Sequence, residues 1–181
     1  IDLGELSPLG SVQIAGKTPI SATGTGTFDE PRIEGALEVL GFELGGLKVG
    51  DIRKAQAVFV PLSLELTQVE LAKNQSFVTS ERTMIDFDTD ADVLVDATVS
   101  TSTAPYLKLA DFFEVFHLDE DPRFKQIKGT AIGSATVHYA VGGAEDRCGG
   151  GLVDVRTKMH IDRPELFREA FDRGAMGLHF L

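Results

Sequence analysis

Residues 20–39 read ISATGTGTFDEPRIEGALEV, and this stretch shows the pattern that predicts the fold class. Apolar or small residues alternate with polar ones from Ile20 to Phe28, and again from Ile33 to Val39. Successive side chains of a strand point to opposite faces, so each half predicts a strand with one apolar face. Asp29-Glu30-Pro31 lies between the two halves and is typical of a turn. The stretch therefore predicts a pair of neighbouring antiparallel strands.

The same alternation extends outward along the chain. Residues 12–14, 91–99 and 131–141 repeat the two-residue period. Gly, Asn and Lys clusters at 45–46, 73–75 and 142–143 predict turns between such runs. A strand with one apolar face and one solvent-exposed face is typical of an antiparallel sheet. We therefore expect residues 1–181 to form a single, mainly all-β segment built around a long antiparallel sheet.

Two segments break the alternation and predict short helices. In residues 105–118 apolar side chains recur three or four positions apart, with Thr103 as the N-cap and Pro105 in the first turn. Residues 164–171 follow Asp162 as a cap, with Glu165 as its capping-box partner and Gly174 as the stop.

A weak internal repeat relates residues 10–60 to residues 129–179. Gly10 returns as Gly129 and Leu47 as Leu166, both 119 positions later (129 − 10 and 166 − 47). The chain also begins at Ile1. We expect it to be a segment of a larger protein.

Composition excludes several classes of function. The formal net charge of −11 argues against binding of a nucleic-acid backbone, which needs clustered Lys and Arg. One cysteine, Cys148, forms neither an internal disulfide nor a cysteine-based metal site. The inward positions of the predicted strands include many small residues, which leave room for backbone bends or for a guest. The 19 glycines fit the same picture of a sheet that bends.

No catalytic motif stands out in the sequence. The run from Asp86 to Asp92 carries alternate carboxylates, but the positions where a calcium loop needs Gly and Glu hold Ala91 and Ala97. The four histidines share no metal-ligand spacing, and His138 and His160 fall on the predicted wet faces. We therefore expect no cofactor, no metal and no catalytic residue.

Residues 24–39 resemble the AsmA-like/TamB-like superfamily of bacterial envelope proteins. The shared pattern is an apolar strand, then a turn with a proline, and then a second strand that begins with Ile33-Glu34-Gly35-Ala36-Leu37. Residues 107–141 are similar too, with an apolar helix, an acidic loop and a new strand series.

The resemblance implies a long sheet curled into a U-shaped trough with an apolar interior. It implies a periplasmic segment of a protein anchored in the inner membrane outside this chain. The implied function is non-enzymatic: shielding of phospholipid or other acyl chains during lipid transport between the inner and outer membranes, or assembly of outer-membrane β-barrel proteins. The implied lipid-groove residues are Val12, Ile14, Ile20, Phe28, Ile33, Leu37, Val39, Val93, Val95, Val99, Val137, Tyr139, Val141, Val153, Val155, Met159 and Ile161.

Two alternatives stay open. The first is a structural or binding β-sandwich module of an envelope or surface protein, in which the apolar face is a sealed core. The second is an enzyme that uses the run from Asp86 to Asp92 or His138. Aspartate substitutions on the apolar face separate an open groove from a sealed core, because an unpaired buried charge is costly.

Overall fold

The two-residue alternation of the sequence forms strands in the computed structural model, which describes residues 1–5, 13–19, 21–87, 93–141, 152–177 and 179–180. The strands are β1 Ile14–Lys17, β2 Ser21–Gly26, β3 Pro31–Leu44, β4 Leu47–Val60, β5 Ser63–Lys73, β6 Ser76–Asp86, β7 Val93–Ser100, β8 Leu107–Lys108, β9 Ile127–Val141, β10 Leu152–Leu166, β11 Glu169–Ala170, β12 Arg173–Met176 and β13 His179–Phe180. One α-helix, α1, spans Leu109–Val115, and short 3-10 turns span Leu3–Glu5, Leu118–Glu120 and Phe124–Gln126.

The described strands form one antiparallel sheet, which confirms the predicted fold class. The order across the sheet is β1-β3-β4-β5-β6-β7-β9-β10-β11, with β2 beside β3, β8 beside β9, and β12 and β13 beside β10. The predicted turns at 45–46 and 73–75 lie between neighbouring strands, with Lys73 as the last residue of β5. The predicted turn at 142–143 lies outside the described residues. In the described part of the chain the two edges do not pair with each other, so the sheet is open and is not a barrel.

The sheet curls strongly along this strand order. The Tyr139 hydroxyl on β9 donates a hydrogen bond to the Gly45 carbonyl at the end of β3, over 3.2 Å. Leu44 packs with Ile85, Val95 and Tyr139, which belong to strands well removed from β3 in the order. The turn between β3 and β4 therefore lies across the concave face, as the predicted trough requires.

Bulges and glycines allow this curvature. The register shifts between β3 and β4, between β4 and β5, and between β6 and β7, and such bulges bend a strand and increase its twist. At Gly133 of β9, φ is +154°, and an added Cβ would meet the Lys158 carbonyl at 2.2 Å. That close approach of β9 and β10 explains one of the strand glycines.

The helix predictions were correct in part. The predicted helix at 105–118 is present but shorter, because Thr103 and Pro105 lie in a bend and the helix begins at Leu109 without a side-chain cap. The predicted helix at 164–171 is wrong. Those residues end β10, turn at Phe167 and Arg168, and return as β11. Leu166 pairs with Ile127 and with Glu169 in the sheet. These pairings satisfy the backbone groups that a helix would have satisfied locally.

The predicted repeat stays a prediction. Of its aligned pairs, Leu47 opens β4 whereas Leu166 closes β10. Gly10 lies outside the described residues. Within the described residues, no helix is both long and apolar enough to cross a membrane.

Candidate functional site

The concave side of the curled sheet, called the inner face here, is built from alternate residues of β3 to β10. Neighbouring strands bring these residues into rows. One row runs through Leu66, Thr83, Ala97, Val137 and Val155 in successive register pairs. The inner face is therefore a continuous and mainly apolar surface.

A cavity of about 210 Å³ lies between the inner face and α1. Phe112, Val115 and Phe116 line it from the helical segment, and Leu44 and Leu47 line it from the ends of β3 and β4. Further apolar residues that line the cavity are Ile52, Leu66, Val69, Leu71, Val78, Ile85, Val95, Ala97, Val99, Ala135, Val137, Tyr139, Val155 and Met159.

The polar side chains in the cavity wall are bonded to the protein. Thr101 donates to the Ala131 carbonyl at 2.7 Å, and Ser80 donates to the Arg82 carbonyl at 2.8 Å. Thr83 donates to the Ser80 hydroxyl at 3.1 Å. Thr79, Ser76, Lys73 and Asp111 also have protein partners. Because these groups are already satisfied, the cavity favours a guest without polar atoms.

The helix α1 is attached to β9 and β10 by apolar packing. Leu109 and Phe113 are buried in a cluster with Ala131, Val155 and Ile161. The ring of Phe113 also meets Phe112 and Phe124 edge-on, with ring centroids 5.9 and 5.1 Å apart. The pairing of β8 with β9 anchors the chain just before the helix. This side of α1 is part of the core.

The opposite side of α1 makes polar contacts with the turn between β5 and β6 and with the residues that flank this turn. Asp111 accepts hydrogen bonds from the Asn74 amide at 2.8 Å and from the Ser76 hydroxyl. The Lys73 ammonium donates to the Glu114 carboxylate at 3.0 Å, and the Asn74 amide donates to the same carboxylate at 3.2 Å. The hydrogen bond from Lys73 is the main reason why the pKa of Glu114 lies below its usual value.

One further polar contact joins the end of this segment to the turn between β3 and β4. His117 follows α1 with a positive φ of 56°. Its Nε2 donates to the Gly46 carbonyl at 3.0 Å. We call the side-chain contacts of Asp111, Glu114 and His117 with these two turns the latch.

The structure places most of the described lipid-groove residues on the inner face. Val95, Val99, Val137, Tyr139, Val155 and Met159 line the cavity. Ile161 lies beneath α1, while Val39, Leu37 and Ile14 pack into the neighbouring apolar clusters.

Two groove predictions differ from the structure. Phe28 is 98% exposed, because it lies in the bend after β2 rather than on the strand. Ile33 shares the face of Leu37 but is 40% exposed, because it lies near the start of β3, away from the covering helix. Val12 and Ile20 lie outside the described residues, as do the side chains of Val93, Val141 and Val153, whose backbones lie in β7, β9 and β10.

Sequence reasoning missed the contribution of β4, β5 and β6 to the cavity wall. Ile52, Leu66 and Ile85 are buried there. The signal is present as alternation, but bulges near Arg53 and Glu81 shift its phase. A search that allows one extra residue per strand would find it.

The residues considered for other chemistry are dispersed. His138 on the outer face pairs with Asp96, with Nδ1 and Oδ1 2.6 Å apart, and His160 is exposed, as predicted. Asp88, Asp90, Asp92 and Cys148 lie outside the described residues. Within the part of the chain that is described, no group of His, Cys, Asp and Glu side chains could hold a metal ion.

Comparison of the chain with protein-family models, with curated proteins and with solved structures finds no match. The family resemblance of residues 24–39 and 107–141 therefore stays an expectation. Any function must be inferred from the inner face, the cavity and α1.

Proposed function

We propose that the protein binds a hydrocarbon chain in the cavity between the inner face and α1. The guest is the end of an acyl chain of a phospholipid or another acyl lipid. The observation that carries the proposal is the apolar cavity whose polar wall groups already have protein partners. This function requires shape and apolar surface, and it needs no catalytic residue.

The size of the cavity gives the energetic reason for a guest. A closed apolar cavity costs about 24 cal/mol per Å³. Because this cavity is partly open, its 210 Å³ sets an upper bound of about 5 kcal/mol. That cost is large beside the 5–15 kcal/mol by which domains are typically stable. Burial of hydrocarbon contributes about 0.8 kcal/mol per methylene. A guest that fills the cavity therefore offsets most of this cost.

The same volume limits the guest. An apolar cavity of about 150 Å³ holds a guest the size of benzene, with six carbon atoms, so 210 Å³ accommodates about eight carbon atoms. The two tails of a phospholipid carry on the order of 30 methylenes. We therefore propose that one chain end enters while the rest of the lipid stays outside this cavity, which is narrower than the whole-lipid trough implied by the resemblance.

The proposal extends to a cellular role through the resemblance of residues 24–39 and 107–141. We propose that the chain acts in the periplasm, in lipid transfer between the inner and outer membranes or in assembly of outer-membrane β-barrel proteins. The curled antiparallel sheet and its apolar inner face support this role, because they are the features that the resemblance implies.

Binding of a fluorescent fatty acid tests the proposal. The protein is first extracted with organic solvent, the extract is analysed for lipid by mass spectrometry, and the delipidated protein is titrated with cis-parinaric acid. Ala97→Leu adds three carbon atoms to the cavity wall and fills part of the free volume. Thr98→Leu places the same side chain on the exposed outer face and is the matched control.

We expect saturable binding by the wild type and by Thr98→Leu, and affinity at least about tenfold weaker for Ala97→Leu, equivalent to about 1.4 kcal/mol. Absence of both extracted lipid and probe binding in the wild type contradicts the proposal. Equal probe affinity of Ala97→Leu and the wild type contradicts the assignment of the cavity.

A structural or binding module with a sealed core is the second candidate function. The observation that favours it is the almost complete burial of cavity-wall residues such as Leu44, Ile85 and Val155. Val137→Asp distinguishes the candidates, with the exposed Thr136→Asp as control. A sealed core unfolds around the unpaired charge. An interior that admits a guest stays folded and loses the guest.

A further inference from the structure

We propose that α1 is a gate that opens on its latch side and controls access to the cavity. The inference deepens the proposed function, because it assigns the route by which a guest reaches the interior. It rests on the difference between the two attachments of α1.

The attachment to β9 and β10 resists opening. Leu109 and Phe113 are buried among apolar side chains, so moving them into water would expose hydrocarbon that no solvent contact can replace. The pairing of β8 with β9 holds the chain at the start of α1. This side therefore acts as the hinge.

The latch side is held by contacts that water can replace. The Asn74 amide, the Glu114 carboxylate and the His117 ring are exposed or partly exposed, so water hydrates them when the latch opens. The Lys73 side chain is only 10% exposed, but it also donates to the Lys48 carbonyl at 2.9 Å and keeps that partner. Asp111 and Ser76 are 8% and 3% exposed in the closed structure, but both are polar, so water hydrates them as well once α1 moves. Opening here therefore costs less than opening at the hinge.

The latch lies where opening has a consequence. Phe112 and Val115 on α1, and Phe116 directly after it, form the cavity wall on this side, so rotation of α1 away from the turns removes that wall. Asp111 lines both the cavity and an open cleft formed with Asn74, Lys108 and Asp162. The polar contacts of Asp111 therefore lie between the cavity and this cleft.

Thiol labelling tests the gate without any lipid. In a Cys148→Ser background, Ala135→Cys places a thiol in the cavity wall, at a position that is 3% exposed. Ala55→Cys places a thiol in β4 at a position that is 0% exposed and lies outside the cavity wall, and it is the matched control. Both are labelled with N-ethylmaleimide, with and without the latch substitutions Asn74→Ala and Glu114→Gln.

We expect the latch substitutions to raise the labelling rate of Ala135→Cys by about tenfold. Asn74→Ala removes hydrogen bonds to two carboxylates, and Glu114→Gln removes the charge that pairs with Lys73. The rate at Ala55→Cys stays the same, because the rest of the sheet remains closed. Glu70→Ala breaks an exposed ion pair between Glu70 and Lys54 on the same sheet and leaves both rates unchanged. Urea unfolding of each variant shows how much of any rate change comes from global unfolding.

A bis-maleimide crosslink between Asn74→Cys and Ala110→Cys, which face the same cleft, ties the latch shut. The crosslink is formed before the interior thiol is labelled. Compared with the same variant without the crosslink, labelling of Ala135→Cys should be slower and labelling of Ala55→Cys should be unchanged. Unchanged labelling of Ala135→Cys in the latch variants overturns the gate, and so does an equal rise at both thiols. Neither result depends on lipid, so failure of the gate is distinguishable from failure of hydrocarbon binding.

Discussion

Replacement of Phe113 by alanine tests whether α1 belongs to the core of this protein. Phe113 is 2% exposed and packs among residues of β9 and β10. Phe28 is 98% exposed and is the matched position for the same substitution. Both changes remove the same atoms from the chain, so their difference reports only the environment.

The structure sets the magnitude. A buried Phe→Ala change costs about 3–5 kcal/mol, from lost burial and the cavity left behind. Phe113 also loses two edge-on ring contacts, each worth about 0.5–1.5 kcal/mol, which places the expected cost in the upper half of that range. We expect about 4 kcal/mol, which lowers the ratio of folded to unfolded protein by about three powers of ten. Phe28→Ala should change the free energy of unfolding by less than about 0.5 kcal/mol.

Urea unfolding followed by far-UV circular dichroism and by tyrosine fluorescence measures both variants. The chain has no Trp and two tyrosines, of which Tyr139 lies in the core and Tyr106 is half-buried, so fluorescence reports on both sites. The slope of the free energy against urea should match that of the wild type. A loss below about 1 kcal/mol for Phe113→Ala would refute the packing of α1 as the hinge. So would a comparable loss for Phe28→Ala.

Three further substitutions test the local geometry. Gly133→Ala should destabilise the protein by more than about 1 kcal/mol in urea unfolding, because its φ is positive and the added Cβ meets the Lys158 carbonyl. Gly24→Ala, where the added Cβ meets nothing within 4 Å, should be neutral or stabilising by about 0.5 kcal/mol, and a loss there would contradict the open edge of β2. Lys73→Met should raise the pKa of Glu114, measured by NMR of the carboxyl carbon; no change would contradict their hydrogen bond. Because the folded-state pKa is lowered, this contact stabilises the protein above the usual pKa of Glu and is lost as the pH falls through the lowered value.

The alternation of the sequence is sufficient to predict most of the longer strands and many of the residues on the inner face. Alternation is a local property, because neighbouring side chains of a strand must point to opposite faces wherever the strand lies. Val95, Val137 and Val155 could therefore be assigned to the apolar side without any tertiary information. The turns at Gly45-Gly46 and Asn74-Gln75 follow for the same reason, since turn residues act on their own backbone.

Which of the apolar residues are buried depends on the tertiary structure. Phe28 and Phe113 are equally apolar in the sequence, but one lies in an exposed bend and the other lies under the contacts between α1 and β9. The return of residues 164–171 as strands depends on pairing with Ile127, a partner far away in the chain. The cavity, the hinge and the latch depend on the curl of the sheet, which brings Gly46 beside His117 and Tyr139 beside Gly45. These contacts join residues far apart in the chain, and a local sequence pattern does not predict them.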